Sequence, residues 1–196
     1  MEDSPENYGE FPPGLQVINR ELDEAEDKAR RIIGGISEMQ ASWQPRAGAW
    51  SISECLDHLG RTNTVYAASL RDALSNAQPA SGALSGVIQP GWVSRIVIRL
   101  LEPPPMGKMR APKTIVPATQ VNKDEALQSF LHSHAEVRAV MYQAAAFDLN
   151  HIRFRNPFVS SLRFTIGTGL LIIASHDRRH LWQAEQVRQS VGFPRG

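Results

Sequence analysis

The segment Ser175-His176-Asp177-Arg178-Arg179-His180-Leu181-Trp182-Gln183 lies inside the last long helical pattern of the chain. Its two histidines are four residues apart, so on an α-helix they stack one turn above the other on the same face. Two imidazoles held in this way can bind one divalent ion if another part of the chain supplies a third ligand. His58 offers that ligand from an earlier predicted helix. The spacing therefore predicts a three-histidine metal site between helices.

Apolar residues recur at three- and four-residue intervals along most of the chain, which predicts long amphipathic helices. The predicted long helices cover residues 15–39, 51–75, 122–147 and 165–191, and a shorter one covers residues 92–101 before Pro103. An Asn-Pro turn is expected at Asn156-Pro157, between the third and fourth long helices. Ser51 and Glu54 form a capping box at the start of the second long helix, and Asn122 caps the third. The expected fold is therefore an all-α four-helix bundle with an irregular insertion between its second and third helices, within residues 75–120. A connection of this length usually has a role, such as covering a site.

Composition limits the class of protein. The 196 residues suffice for one well-buried core and are few for two, so we expect a flexible tail over residues 1–13 and a single domain over residues 14–196. The formal net charge is +1, and no segment is densely populated by Lys and Arg, so the charge pattern does not indicate nucleic-acid binding. The apolar runs are too short to span a membrane, and the acidic, polar start is not a secretory signal. One cysteine excludes an internal disulfide and fits a reducing compartment, so we expect a cytoplasmic protein.

On a helical wheel the two late histidines face the interior of the bundle. His180 shares a narrow sector with apolar residues of its helix (Ile166, Ile173, Ala184 and Val187), and His176 lies at the edge of that sector. Two buried imidazoles without partners would cost about 1–3 kcal/mol each, so a metal, a hydrogen-bond network or a wet cavity must compensate. His58 flanks the apolar stripe of its own helix and can face the same cavity. The spacing alone also fits the alternative of core or surface histidines satisfied by their neighbours.

Two segments resemble the signature blocks of a known family. Residues 50–59 read W-S-I-S-E-C-L-D-H-L, and residues 176–186 read H-D-R-R-H-L-W-Q-A-E-Q. They are similar to the W-S-x-x-E-x-x-x-H-L and H-x-x-x-H-x-x-Q blocks of the DinB/YfiT-like family, the DinB superfamily. Residues 107–113 resemble the Lys-Pro-bearing segment between helices of that family. The resemblance covers most of the chain from Leu15 onward and is looser in the tail and over residues 75–100.

The resemblance implies both a topology and a ligand set. It implies an up-down-down-up four-helix bundle in which one histidine of the second helix and two of the fourth hold a metal. Carried over to this chain, the ligands are His58, His176 and His180. Relatives of this kind include thiol-dependent isomerases and S-transferases, so the resemblance allows a low-molecular-weight thiol as a second cofactor.

Several neighbours of these histidines have more than one interpretation. Glu54 could act as a base or support His58, but its capping-box position explains it without chemistry. Gln183 could orient an imidazole or a bound water from outside the ligand shell. Asp177, Arg178 and Arg179 are most simply a solvated or interface face, although an arginine near a cation could hold an anionic substrate. The H-D-x-x-H pattern is not a zincin motif, because that motif requires Glu after the first histidine and a downstream third ligand.

The remaining candidates are expected to be structural. His134 lies on the inward stripe of the third helix, where we expect a satisfied core residue rather than a fourth ligand. His132 should face solvent, and nothing assigns His151 a role. Cys55 is expected to be a small core residue.

Three neutral imidazoles leave the full charge of the ion in place and coordination positions open. Such a site can lower the pKa of a bound water to about 7 or bind a thiolate. Imidazole suits zinc, nickel, iron and copper alike, so the ligand set does not single out one metal. Zinc or nickel is expected first and iron next. The expected function is a metal-dependent enzyme, a hydrolase or a small-thiol S-transferase, that acts on a small molecule.

The alternative is a non-catalytic metal-binding or stress-response module in which the ion is structural and closed by a fourth protein ligand such as His134 or Cys55. The sequence identifies no general acid or base. A homodimer is also expected, with a contact through Trp92, Ile96 and Leu100.

Overall fold

A computed structural model of the chain describes residues 11–80, 86–104, 112, 115–118 and 121–195. Its helices are α1 (Pro13–Ile33), α2 (Glu38–Ala41), α3 (Ile52–Ser75), α4 (Trp92–Leu101), α5 (Lys123–Ala144) and α6 (Ile166–Arg188), and its strands are β1 (Arg153–Arg155) and β2 (Arg163–Thr165). The long helices α1, α3, α5 and α6 pack against one another, which confirms the all-α prediction. The up-down-down-up order stays a prediction. No helix in the described ranges combines the length and the apolar character that a membrane crossing requires.

Side chains cap the starts of α3, α5 and α6, and the caps of α3 and α5 are those that the sequence predicts. In the capping box of α3, Ser51 Oγ accepts the Glu54 amide at 3.2 Å, and Glu54 Oε2 accepts the Ser51 amide at 2.7 Å. At α5, the Asn122 side chain accepts the amides of Asp124 and Glu125. At α6, Thr165 Oγ1 accepts the Thr168 amide. Each cap satisfies amide groups that the first helical turn cannot pair, so each boundary is fixed by local sequence.

The first helix is shorter than the apolar pattern predicts. It ends at Ile33 rather than near Met39, because the chain turns at Gly34 and at Gly35, whose φ is +72°. The short helix α2 then begins at a second capping box, formed by Ser37 and Gln40. The apolar spacing continues across the break, so the apolar pattern extends past the two glycines that end α1.

A small antiparallel ribbon precedes α6, where the sequence predicted only an Asn-Pro turn. Phe154 of β1 pairs with Phe164 of β2, and both rings are buried. Asn156 builds the turn: its side-chain oxygen accepts the amides of Phe158 and Val159, and its Nδ2 donates to the Tyr66 hydroxyl at 2.6 Å. The turn prediction is therefore confirmed, and the strands beside it were missed.

The insertion is partly described. The short helix α4 has the predicted bounds and packs against α6. Most of residues 107–113, the segment of the family resemblance, lies outside the described residues, as do residues 1–10 of the expected tail. Phe11 stacks on Tyr142 with ring centroids 4.5 Å apart, and α1 begins two residues later.

A polar layer divides the core into two apolar clusters. One cluster contains Leu15–Leu22 side chains of α1 and the later part of α3, and the other contains the later part of α1 and the earlier part of α3. Polar side chains from all four long helices lie between the clusters (Glu26, His58, Asn63, His134, Asp177 and His180). The predicted site residues therefore lie at the level of the bundle where apolar packing is interrupted.

Candidate metal centre

Three histidines from two helices converge in the polar layer. His58 comes from α3, and His176 and His180 come from α6. One ring nitrogen of each lies within 4.8 Å of the others, and the ring centroids are 4.5–5.1 Å apart. Among the described His, Cys, Asp and Glu side chains, these three form the group whose geometry can hold an ion. The convergence predicted from the spacing is therefore observed.

A backbone carbonyl fixes the orientation of the His58 ring. Its Nδ1 lies 2.6 Å from the Ile115 carbonyl oxygen, and a carbonyl can only accept a hydrogen bond. The proton is consequently on Nδ1, and Nε2 carries a free lone pair directed at the other two rings. Metal-bound histidines are held in this way, with the second nitrogen donating to a carbonyl or carboxylate.

The nitrogen spacing fits one small cation. His58 Nε2 and His176 Nε2 are 3.4 Å apart. Two nitrogens at zinc-bonding distance with tetrahedral geometry would be separated by about 3.4 Å. In addition, Nδ1 of His176 and Nδ1 of His180 are buried and lack hydrogen-bond partners among the described residues. Within the described residues, these two rings therefore belong to no closed hydrogen-bond network, and the case for an ion depends on the spacing of the ring nitrogens.

Burial keeps all three imidazoles neutral at physiological pH. Burial lowers the pKa of His176 to about 3, and the nearby charges of His58 and Arg179 act in the same direction. Burial also lowers the pKa of His180 far below its ordinary value, although a side-chain interaction with Gln183 opposes this. Burial also lowers the pKa of His58, although the hydrogen bond to the Ile115 carbonyl and the charge of Asp57 act to raise it. Neutral imidazoles bind metals without first losing a proton.

The segment that supplies the carbonyl is attached to α3 by the residue before His58. Asp57 Oδ2 accepts the Ala118 amide at 2.9 Å and the Arg61 Nε–H at 2.7 Å. Neighbouring residues of α3 thus hold both ends of the segment 115–118. Sequence reasoning did not identify Asp57, although it stands beside the predicted ligand. It could not identify Ile115, because a backbone carbonyl leaves no signature in the side-chain pattern.

Trp50 covers one side of the site, and the three histidines differ in their exposure to solvent. The Trp50 ring packs against His58 and His180, with centroid distances of 4.6 and 5.4 Å. His58 and His180 are 2% and 7% exposed, whereas His176 is only half-buried. His176 is therefore the ligand candidate nearest to solvent.

Neither candidate for a fourth ligand belongs to the cluster. His134 is fully buried and satisfied, with Nδ1 3.2 Å from Glu26 Oε1 and Nε2 3.1 Å from Asp177 Oδ2. The prediction of a satisfied core histidine is therefore confirmed. Cys55 is also fully buried, and burial raises the pKa of its thiol, which disfavours the thiolate. Its sulfur does not belong to the group of ligand atoms that could hold an ion.

The expected solvated or interface face on α6 is wrong for Asp177 and Arg179. Asp177 is fully buried and accepts the Asn63 Nδ2–H at 2.9 Å in addition to its contact with His134. Arg179 is 8% exposed and donates to the Leu100 carbonyl at 2.9 Å. The reason is that α6 is packed on two sides, by the bundle and by α4. Arg178, between them, is half-buried and pairs with carboxylates of α1 and the end of α4.

The other candidate side chains make structural contacts or lie at the surface. The Glu54 carboxylate bonds to the Ser51 amide and to Gln44 Nε2, at 2.7 and 2.8 Å, as its capping role predicts. Its supporting role for His58 stays a prediction. His132 is exposed, as expected, and the exposed His151 pairs with Asp148.

A protein-family model matches most of the chain. The model of the DinB superfamily matches residues 21–184, a span that contains all three clustered histidines. Comparisons with curated proteins and with solved structures give no match.

Proposed function

The chain belongs to the DinB superfamily, and on this premise we propose that it is a metal-dependent enzyme whose ion is held by His58, His176 and His180. The observation that carries the proposal is the cluster itself, three neutral imidazoles whose spacing fits one cation. The proposed reaction is hydrolysis or transfer of a small thiol to a small-molecule substrate. A bound divalent ion would supply Lewis acidity that favours hydroxide or thiolate at neutral pH.

The residues around the ion have distinct proposed tasks. His58 is oriented by the Ile115 carbonyl, so its lone pair is aligned before an ion arrives. Trp50 covers two of the rings and excludes water from one side. Gln183, which influences the pKa of His180, is the proposed group that orients that ring or a bound water. Zinc or nickel is the proposed metal, with iron next, because three imidazoles suit all of them.

A structural ion is the second candidate. The burial of His58 and His180 favours it, because a buried ion would tie α3 to α6 at the polar layer. The absence of a fourth His, Cys, Asp or Glu ligand within the described ranges favours the enzyme, since a catalytic ion keeps an open position.

Metal analysis of untagged protein tests the site. We expect about one equivalent of a divalent ion in the wild type and less than about a tenth of that in His58→Ala, His176→Ala and His180→Ala, because two imidazoles bind far more weakly than three. The exposed His132→Ala is the matched control and should retain the ion. A His180→Ala variant that keeps a full equivalent would exclude the proposed ligand set.

A second measurement separates the enzyme from the structural ion. In cobalt(II)-loaded protein, the visible absorption bands should shift when a small thiol or azide is added, because these ligands occupy an open position. Bands that do not respond to either ligand indicate a closed site and exclude the enzymatic proposal. If the bands respond, turnover of a small electrophile with a thiol is the next assay.

A further inference from the structure

Three arginines occupy the outer face of the β1–β2 ribbon, and we call them the arginine face: Arg153, Arg155 and Arg163. The strand register places Arg155 directly opposite Arg163, and Arg153 lies two residues along the same face. All three are exposed. Like charges directly opposite each other in an antiparallel pair are destabilising. The ribbon therefore carries an arrangement that its own stability does not explain.

No described side chain neutralises these charges. Within the described ranges, none of the three guanidinium groups has an ion pair or a side-chain hydrogen bond. Their backbone is nevertheless held firmly, because Phe154 and Phe164 project from the opposite face into the core. The arginine side chains thus extend from a ribbon whose backbone is held in place, and their guanidinium N–H groups are available to bind a ligand.

An open groove runs beside the arginine face. It has a volume of about 710 Å³ and lies between β1 and the C-terminal end of α3. Arg153 and Arg155 line one wall, and Ser69, Asp72 and Asn76 line the other. Small-molecule sites have volumes of roughly 300–1,000 Å³, so the groove is of a suitable size.

The groove is separate from the metal centre. Both share α3, but His58 lies in its second turn, whereas the groove begins at Ser69. Eleven helical residues rise about 16 Å, so a small molecule in the groove does not reach the histidines.

We propose that the arginine face and its groove form a second binding site, for a small molecule that carries a diphosphate group. Guanidinium groups bind phosphate oxygens through paired hydrogen bonds, and they do so with more geometric specificity than lysine. The opposed pair Arg155 and Arg163 has Cβ atoms about 5 Å apart, close enough to bind adjacent phosphoryl groups. Asp72 repels an anion from the helical wall, so the diphosphate lies on the ribbon side and a neutral or cationic part of the ligand faces α3.

Titration of isotope-labelled full-length protein with inorganic pyrophosphate tests this proposal. We expect saturable shifts in the amide signals of residues 153–165 with a Kd of about 1 mM or tighter. Arg155→Gln and Arg163→Gln should each weaken binding about fivefold, because each removes charge-assisted hydrogen bonds at an exposed site. Asp72→Asn should strengthen it, because the substitution removes a repulsive charge. The matched control is Arg46→Gln, which lies beyond the other end of α3, a helix about 36 Å long.

The outcomes are distinguishable from failure to fold. All four variants replace exposed side chains, so their thermal midpoints should equal or exceed that of the wild type. Shifts that do not saturate, or equal weakening by Arg46→Gln and Arg155→Gln, would overturn the proposal. Tighter binding of a short DNA duplex than of pyrophosphate at the same ribbon signals would also overturn it and indicate a nucleic-acid surface instead.

Discussion

We expect Asp57 to influence the candidate metal centre from outside the three-histidine cluster. Its carboxylate holds the Ala118 amide, and the same segment holds the His58 ring through Ile115. We expect Asp57→Asn to weaken zinc binding about tenfold, because residues that orient a ligand typically contribute that much to affinity. Competition with a chromophoric chelator measures the change. Asp72→Asn, an exposed substitution on the same helix, should leave zinc affinity unaltered, and equal affinities in both variants would contradict the role of Asp57.

His134 is expected to make stability depend on pH. Burial alone would lower its pKa, but hydrogen bonds and charge from Asp177 and Glu26 outweigh burial and raise the pKa above 6.5. A raised pKa in the folded state means that His134 stabilises the protein below pH 6.5 and that this contribution is lost as pH rises through the folded pKa. The free energy of unfolding of the metal-free wild type should therefore fall across that range.

Urea unfolding at several pH values checks this dependence. His134→Gln should be less stable at pH 6 and should show a flatter profile above pH 6.5. His132→Gln, an exposed substitution on the same helix, should follow the wild-type profile. A His134→Gln profile parallel to that of the wild type would show that another group causes the dependence.

The sequence predicts the three candidate metal ligands, but it does not predict most of the residues that surround them in the structure. Helical spacing brings His176 and His180 onto one face, and a helical wheel predicts which face is buried. Nothing in the sequence distinguishes the buried Asp177 from the half-buried Arg178 beside it. Its burial depends on partners more than forty residues away in the chain, Asn63 and His134, and these meet it only after folding.

Among the helices, α3 and α5 approach closely at Gly60. A Cβ added there would lie 2.5 Å from Ser129 Oγ and 3.0 Å from the Ser129 carbonyl carbon. Alanine favours a helix over glycine by about 1 kcal/mol, but overpacking costs about 1–3 kcal/mol. We expect Gly60→Ala to lower the free energy of unfolding by about 1–2 kcal/mol, as measured in urea, because the clash includes main chain.

The control for this substitution is Gly91→Ala, where an added Cβ has no neighbour within 4 Å. It should cost only a few tenths of a kcal/mol, as expected at a helix start. A Gly60→Ala variant as stable as the wild type would show that α3 and α5 separate easily at this level. In that case the close approach would not position His58, which lies half a turn away.

Local signals decided which elements could be predicted. The starts of α3 and α5 have caps that the sequence shows directly, and α4 is bounded by glycine and proline. The strands β1 and β2 contain three residues each, too few for alternation to be recognised. The four-residue helix α2 was missed although Ser37 and Gln40 form a readable capping box. Elements shorter than two helical turns depend on tertiary packing more than on their own pattern.

For the whole molecule, we expect association through α4. Trp92 is 76% exposed, and Ile96 and Leu100 are also exposed on the same helix. Covering this stripe with a second copy removes apolar surface from water at about 25 cal/mol per Å². Light scattering should therefore give a dimer mass at micromolar concentration, and Trp92→Ser should shift the equilibrium toward the monomer. A monomer mass for the wild type would contradict this expectation, and Val191→Ser, an exposed apolar substitution elsewhere, is the control.

The single cysteine offers a way to time the opening of the bundle. Cys55 is enclosed by the core three residues before His58, and its protonated thiol cannot attack a reagent while the helices stay closed. Alkylation must therefore wait for a fluctuation that exposes the start of α3. The half-life of the labelling reaction then reports how often the start of α3 opens locally. An ion that joins α3 to α6 would lengthen that half-life, so a simple thiol-modification time course can register metal occupancy without any probe attached to the protein.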